Sequence, residues 1–219
     1  SSIESYLHLE SGIYENPYDL MTFYDNHDMP RMDADNEGFI DAHNWLFTSR
    51  GIPVVYYGSE IAFRAGTDQH AGNRDYFGQD NVDKAKSHPI RDALSRIAAV
   101  RRQSIALQRG LQANVALDDN SATFFRVYQK DGVAQSALVL LNRRDKPSRF
   151  YVQKWLSEGT WKDAITGDIV EITAEDPALV EIVAAHGVRV YLNDQFVTDR
   201  ELIAELDRLQ ANARRRSRE

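Results

Sequence analysis

Leu20-Met21-Thr22-Phe23-Tyr24 runs into Asp25-Asn26-His27-Asp28, and this junction decides the reading of the fold. A short, nearly continuous apolar run suits a strand buried on both faces, as in a parallel sheet. The polar cluster that follows it is a loop. Further on, Phe39, Ile40, His43, Leu46 and Phe47 fall near one face of a helix. Gly51 is expected to close that helix. Ile52-Pro53-Val54-Val55-Tyr56-Tyr57-Gly58 then forms a second apolar run, its proline tolerated at a strand start. Strand, helix, strand is the repeat of a parallel α/β sheet.

Working outward, a polar stretch from Ser59 to about Ser87 reads as a long loop, and loops of that length are usually functional or mobile. Pro89 opens a helix whose apolar stripe, Ile90, Leu94, Ile97, Ala98 and Ile105, is interrupted by Arg91, Arg96, Arg101 and Arg102. From Leu111 the period changes to short strand-like runs at 122–129, 135–142, 149–152, 159–163, 168–172, 180–183 and 188–192. Asp131-Gly132 and Thr166-Gly167 supply hairpin turns between them. Strands at this spacing describe an antiparallel sandwich or barrel. Leu202, Ile203, Leu206 and Leu209 then share one face of a last helix, with Thr198 or Asp199 as its cap, and the basic cluster Arg214–Arg218 ends it. The basic cluster reads as a solvated helix end, with docking of the helix to a partner as the sharper alternative.

Composition bounds the function. The chain has 219 residues, 26 Lys and Arg against 33 Asp and Glu, a net charge of −7 and no cysteine. An acidic balance argues against a nucleic-acid partner, and no apolar run approaches the ~18 residues that span a membrane. Without cysteine there are no disulfides, thiolate zinc sites or cysteine nucleophiles. The opening Ser1-Ser2-Ile3-Glu4 is neither an initiator methionine nor a signal sequence, so the chain is expected to be cut or processed at its front.

Asn26-His27-Asp28 sits where a buried strand opens into a loop, the edge at which parallel sheets and barrels collect ligands and catalytic side chains. Taken alone, such a triplet is more often a turn-forming cluster. Asp33-Ala34-Asp35-Asn36-Glu37-Gly38 begins like a calcium loop, but Asn44 stands where the bidentate Glu belongs, so a polar turn capping the next helix is expected. Trp155 and Trp161 could stack on sugars, although buried sandwich aromatics are the commoner case.

Phe23-Tyr24-Asp25-Asn26-His27-Asp28 resembles the last of the short motifs of the α-amylase superfamily, glycoside hydrolase family thirteen. Gly51 through Glu60 resembles the eighth barrel strand of those enzymes, and the spacing between the two segments fits. The loop with Gly66-Thr67-Asp68 and Gly72-Asn73-Arg74 is similar to one in cyclodextrin glucanotransferases and related amylases. The resemblance implies an α/β plus all-β fold. Residues 1–110 would be the C-terminal part of a (β/α)8 TIM barrel, 111–193 the antiparallel β-sandwich called domain C, and 194–219 a terminal helix and basic tail.

By the same resemblance, Asp28 is the third catalytic carboxylate, which binds sugar hydroxyls and stabilises an oxocarbenium-like transition state. His27 hydrogen-bonds the sugar at the cleavage site, Asn26 of the same motif is a substrate-binding residue beside it, and Asp68 and Arg74 line a more distant glucose subsite. The substrate implied is an α-1,4-linked glucan or maltooligosaccharide, cut or transferred with retention. Retention needs a nucleophile and a general acid roughly 5 Å apart. The family carries them on its fourth and fifth barrel strands, and no matching segment is found in these 219 residues. A whole (β/α)8 barrel takes about 250 residues, so the chain is expected to be inactive alone and to need the missing N-terminal barrel fragment as its partner. No cofactor is expected in this segment, although a structural calcium in the missing part is compatible with the family. The resemblance favours a secreted or periplasmic protein. The alternative is a non-catalytic carbohydrate- or partner-binding module in which the motif is a relic.

Overall fold

The computed structural model describes residues 16–64 and 72–216, with side chains through 211. The N-terminal part holds two parallel strands, β1 (Met21–Thr22) and β2 (Ile52–Pro53), joined through helix α1 (Asn36–Thr48). Backbone bonds from Ile52 N to Leu20 O (2.8 Å) and Val54 N to Thr22 O (2.9 Å) make the ladder. The strands are shorter than the apolar runs that encode them, and they are not buried on both faces. Met21, Phe23, Ile52 and Val54 alternate along one face and are exposed, Met21 by 68% and Ile52 by 51%. The other face carries Tyr24, whose ring meets Phe39 of α1 edge-on at 6.2 Å. The runs are apolar on both faces, but only one face of this two-stranded sheet is covered.

Asp35 caps α1 by accepting from Gly38 N at 2.9 Å, so the segment expected to be a capping turn is one. The helix ends at Ser49, whose N–H bonds Trp45 O, and Gly51 does not close it. Gly51 instead enters β2 with φ +96°, where a Cβ would lie 2.5 Å from Thr22 Cγ2 and 3.0 Å from Leu20 O. Backbone strain and overpacking each cost about 1–3 kcal/mol. Gly51→Ala is therefore expected to lower the unfolding free energy by at least about 2 kcal/mol in urea titrations; an unchanged midpoint contradicts this.

A one-turn 3-10 helix (Ser59–Ile61) follows β2, and the stretch read as one long loop contains helix α2 (Gly78–Ala85). None of its residues is buried, so no apolar stripe announced it. Local side-chain bonds support it, among them Asn81 Nδ2 to Phe77 O (2.7 Å) and Lys86 to Asp83 (2.5 Å). Helix α3 (Pro89–Gln103) starts at the expected proline, and Ser104 caps a separate short helix α4 (Ile105–Arg109).

The rest is antiparallel. Strands β3 (Leu111–Leu117), β4 (Ser121–Lys130), β5 (Val133–Asn142), β10 (Gly187–Asn193), β7 (Gly159–Asp163) and β8 (Ile169–Ile172) form one sheet in that order. Strands β6 (Ser148–Val152) and β9 (Leu179–Val183) form a second. Asp131-Gly132, both at positive φ, turns β4 into β5 as its sequence demands. Phe125, Leu138, Leu140, Phe150, Trp161 and Leu179 fill the core between the sheets. Trp155 and Trp161 are both buried there, and Trp161 Nε1 donates to Ser157 O at 2.9 Å. Helix α5 (Arg200–Arg216), capped by Asp199 accepting from Leu202 N (2.8 Å), lays Leu202 and Leu206 on the same core, while Ile203 faces outward. Its apolar face is thus covered by its own domain; the side chains of Arg214–Arg218 lie outside the described residues.

The two parts share a second core: Ile97, Val100 and Leu107 of the helices pack with Phe124, Val139 and Val190 of the large sheet. Two buried arginines complete the junction. The last carbonyls of α1 lack intrahelical donors. Arg101 donates to Phe47 O (3.0 Å), Ser49 O (3.1 Å) and Gly51 O (2.6 Å), and Arg126 donates to Thr48 O (2.8 Å) and Gly110 O (3.0 Å). Arg101 therefore does not break the apolar stripe of α3 as its sequence position suggests; it finishes the end of α1.

A third junction is ionic. His186, before β10, meets Asp41 of α1 through Nδ1 (2.8 Å) and Asp145 through Nε2 (2.9 Å). Hydrogen bonding to Asp41 raises the imidazole above its ordinary value, against the effect of burial. Asp41 is itself pushed up, because its own burial outweighs the pull of His186. A raised histidine stabilises the fold fully below its unfolded value of about 6.5 and loses that contribution as pH rises through the folded value. The difference in melting temperature between the parent chain and His186→Asn is expected to shrink between about pH 6 and pH 8.5. A difference that stays constant or grows over that range contradicts the pairing.

Candidate active site

The site stands at the C-terminal rim of the parallel strands. Just past β1, Asp25 is buried and accepts from Met32 N at 2.7 Å, which folds residues 25–32 into a closed loop. Burial raises its carboxyl above the usual range, opposed by the Met32 N–H and the Arg31 guanidinium. Within the loop, Asn26 Oδ1 accepts from Asp28 N at 2.7 Å, an Asx turn. Asn26 thus shapes the loop and projects the next two side chains outward. His27 and Asp28 are each 63% exposed at the side chain, with His27 Nε2 3.2 Å from Asp28 Oδ2.

A second segment, beyond β2, meets them. Arg74 Nη2 lies 2.7 Å from Asp28 Oδ1, and its Nε donates to His27 O at 2.9 Å. Asn26, His27, Asp28 and Arg74 are therefore brought together from positions up to 48 apart in the numbering. Asp68 lies outside the described residues. The carboxylate is flanked by an imidazole and a guanidinium yet open to solvent. Such a group can accept hydrogen bonds from hydroxyls and oppose a developing positive charge.

Beneath the rim lie groups to which the sequence assigned no role in the site. Arg31 is buried, its guanidinium 4.7, 4.6 and 5.1 Å from the rings of Tyr56, Tyr57 and Phe63. It donates to the carbonyls of Tyr57 (2.8 Å) and Gly72 (3.1 Å). Asn73 is fully buried. In sequence both look like ordinary loop polar residues; only the aromatic run Tyr56-Tyr57 hinted at a cation platform. Deeper still, Tyr24 Oη and His43 Nε2 are 2.6 Å apart, and burial lowers the His43 imidazole to about 4, so it is neutral at physiological pH. Among the described residues no group of three or more His, Asp or Glu side chains is placed to hold a metal ion, and no helix is long and apolar enough to cross a membrane.

No family model matches the chain. It is 32% identical over 167 residues to an α-amylase of Streptomyces lividans, a match covering 66% of this chain and 18% of that one. It is 27% identical over 172 residues to a cyclomaltodextrin glucanotransferase of Bacillus licheniformis, covering 76% and 22%. The chain thus spans about a fifth of these curated relatives' lengths. Among solved structures, an Anoxybacillus α-amylase superposes with a TM-score of 0.70 at 22% identity, over 89% of this chain and 42% of that one. A cyclomaltodextrin glucanotransferase with a three-domain ABC distribution superposes with a TM-score of 0.68 at 26% identity, over 89% and 40%. Fold and site define part of a (β/α) barrel, with a polar site on its C-terminal rim and an antiparallel β domain behind it. These likenesses to α-amylases and cyclomaltodextrin glucanotransferases support an α-amylase-family fragment.

Proposed function

We propose that this chain is the C-terminal segment of a retaining glycosidase or transglycosylase acting on α-1,4-glucosidic bonds, and that it supplies the carboxylate that stabilises the transition state. The observation that carries this reading is the convergence of His27, Asp28 and Arg74 at the rim, with one Asp28 oxygen beside the His27 imidazole and the other on the Arg74 guanidinium. Asp28 accepts hydroxyls of the sugar undergoing cleavage and opposes the charge of the flattening ring. His27 donates to the same sugar, Asn26 holds the turn that presents both, and Arg74 with Asp68 borders a further glucose.

The nucleophile and general acid belong to barrel strands outside this segment, so the chain is inactive alone. A barrel fragment as partner is supported by the exposed apolar face of β1 and β2, since Met21, Phe23, Ile52 and Val54 form the kind of surface that a barrel fills with inward side chains. The test is turnover of maltooligosaccharides by this segment joined to the rest of a barrel, with Asp28→Asn beside it. A joined, folded protein that releases no sugar overturns the reading.

A further inference from the structure

Arg74 cannot be held on Asp28 by the ion pair alone. Its side chain is about half exposed and that of Asp28 more so, and exposed pairs contribute little against the freedom of a long side chain. What brings Arg74 there is the residue before it. The buried Asn73 side chain donates through Nδ2 to the carbonyls of His27 (2.7 Å) and Met29 (3.1 Å), the two residues on either side of Asp28. Its own carbonyl is gripped from behind by Tyr56 Oη (2.7 Å) and Arg31 Nη2 (3.4 Å), while Arg31 Nε takes the carbonyl of Gly72 (3.1 Å).

We propose that Asn73 and Arg31 are positioning residues, a buried latch that clasps the loop around Asp28 and so fixes the Arg74 guanidinium on the carboxylate. Two hydrogen bonds from one amide to carbonyls flanking Asp28 set the spacing between the two loops. Arg31, packed among three aromatic rings, sets the height of residues 72 and 73. With the latch open, Arg74 becomes an ordinary mobile surface arginine. As a consequence for sugar binding, the inference rests on the function proposed above; the placement of Arg74 does not.

The test separates the two. In the 15N-labelled chain, the Arg74 Nε–Hε resonance, assigned by its loss in Arg74→Lys, is expected to be resolved and slowly exchanging. In Asn73→Ser it is expected to collapse into the envelope of exposed arginines. Should that variant fail to fold, Arg31→Lys, which keeps the charge but loses the fork to residues 72 and 73, is expected to do the same. A merely destabilised fold lowers the melting temperature without moving this resonance. In the joined, active protein, Arg74→Ala is expected to raise KM for maltooligosaccharides about tenfold, but less than about twofold in the Asn73→Ser background. An Arg74 resonance unchanged in a folded variant overturns the latch, whatever the sugar result. A collapsed resonance with no KM effect of Arg74→Ala upholds the latch and removes Arg74 from the sugar site.

Discussion

Asp28→Asn, made in the segment joined to the rest of its barrel, is expected to lower turnover on maltooligosaccharides by at least about 100-fold, or about 2.7 kcal/mol of transition-state stabilisation. The substitution keeps the shape of the side chain and one acceptor oxygen, so what it removes is the negative charge. That charge matters little to a neutral sugar at rest and much to a ring gaining positive charge, so the loss is expected in kcat with KM nearly unchanged. The geometry also limits side effects. The turn that presents Asp28 is made by the Asp28 backbone N–H on Asn26, and Arg74 keeps its bond to the His27 carbonyl. The loop should therefore stand in the variant, and its melting temperature checks that. A loss under about tenfold removes Asp28 from the mechanism.

The rim was legible in the sequence and its foundations were not. The run Leu20–Tyr24 before Asn26-His27-Asp28 marks a strand end, and β1 pairs in parallel with β2 as the strand, helix, strand order requires. The antiparallel strands after residue 120 sit where their short apolar runs and turn signals put them; β6 and β7 alternate, whereas β4 and β5 are buried on both faces along most of their length. β3 was not anticipated because a register shift between Asn114 and Ala116 breaks its alternation. The turn-forming and motif readings of Asn26-His27-Asp28 are compatible: Asn26 makes the turn that exposes His27 and Asp28. Arg31, Arg101 and Arg126 escaped for one shared reason. A buried cation whose partners are carbonyls looks in sequence like a solvated one, because its acceptors belong to the backbone of any residue. Arg31 reaches positions 57, 72 and 73, and Arg126 reaches 48 and 110. Such pairings follow from the tertiary fold, and no local pattern encodes them.

Arg126 is where that hidden layer has its largest expected effect on stability. Its side chain is fully buried on β4, facing away from the sandwich core and toward the helices. Burial lowers its guanidinium to about 9, with Arg101 nearby adding to the effect. Among the described residues its acceptors are neutral carbonyls, of Thr48 (2.8 Å) at the end of α1 and of Gly110 (3.2 and 3.0 Å) at the end of α4. Holding a charge there is costly, so replacing the whole group by an apolar one of similar length is a fair contest. Arg126→Met removes the buried charge but strands both carbonyls, each costing about 1–3 kcal/mol when left unpaired. Arg126→Ala strands them and opens a cavity besides, for a total of about 3–5 kcal/mol. At about 2–4 °C per kcal/mol for a chain of this size, Arg126→Ala is expected to lower the melting temperature by at least about 6 °C, and Arg126→Met by less. Because Arg126 belongs to the large sheet while Thr48 and Gly110 end helices packed against it, the alanine variant is also expected to split one thermal transition into two. If both variants melt within about 2 °C of the parent, the carbonyls find water and the arginine is not what joins the two parts.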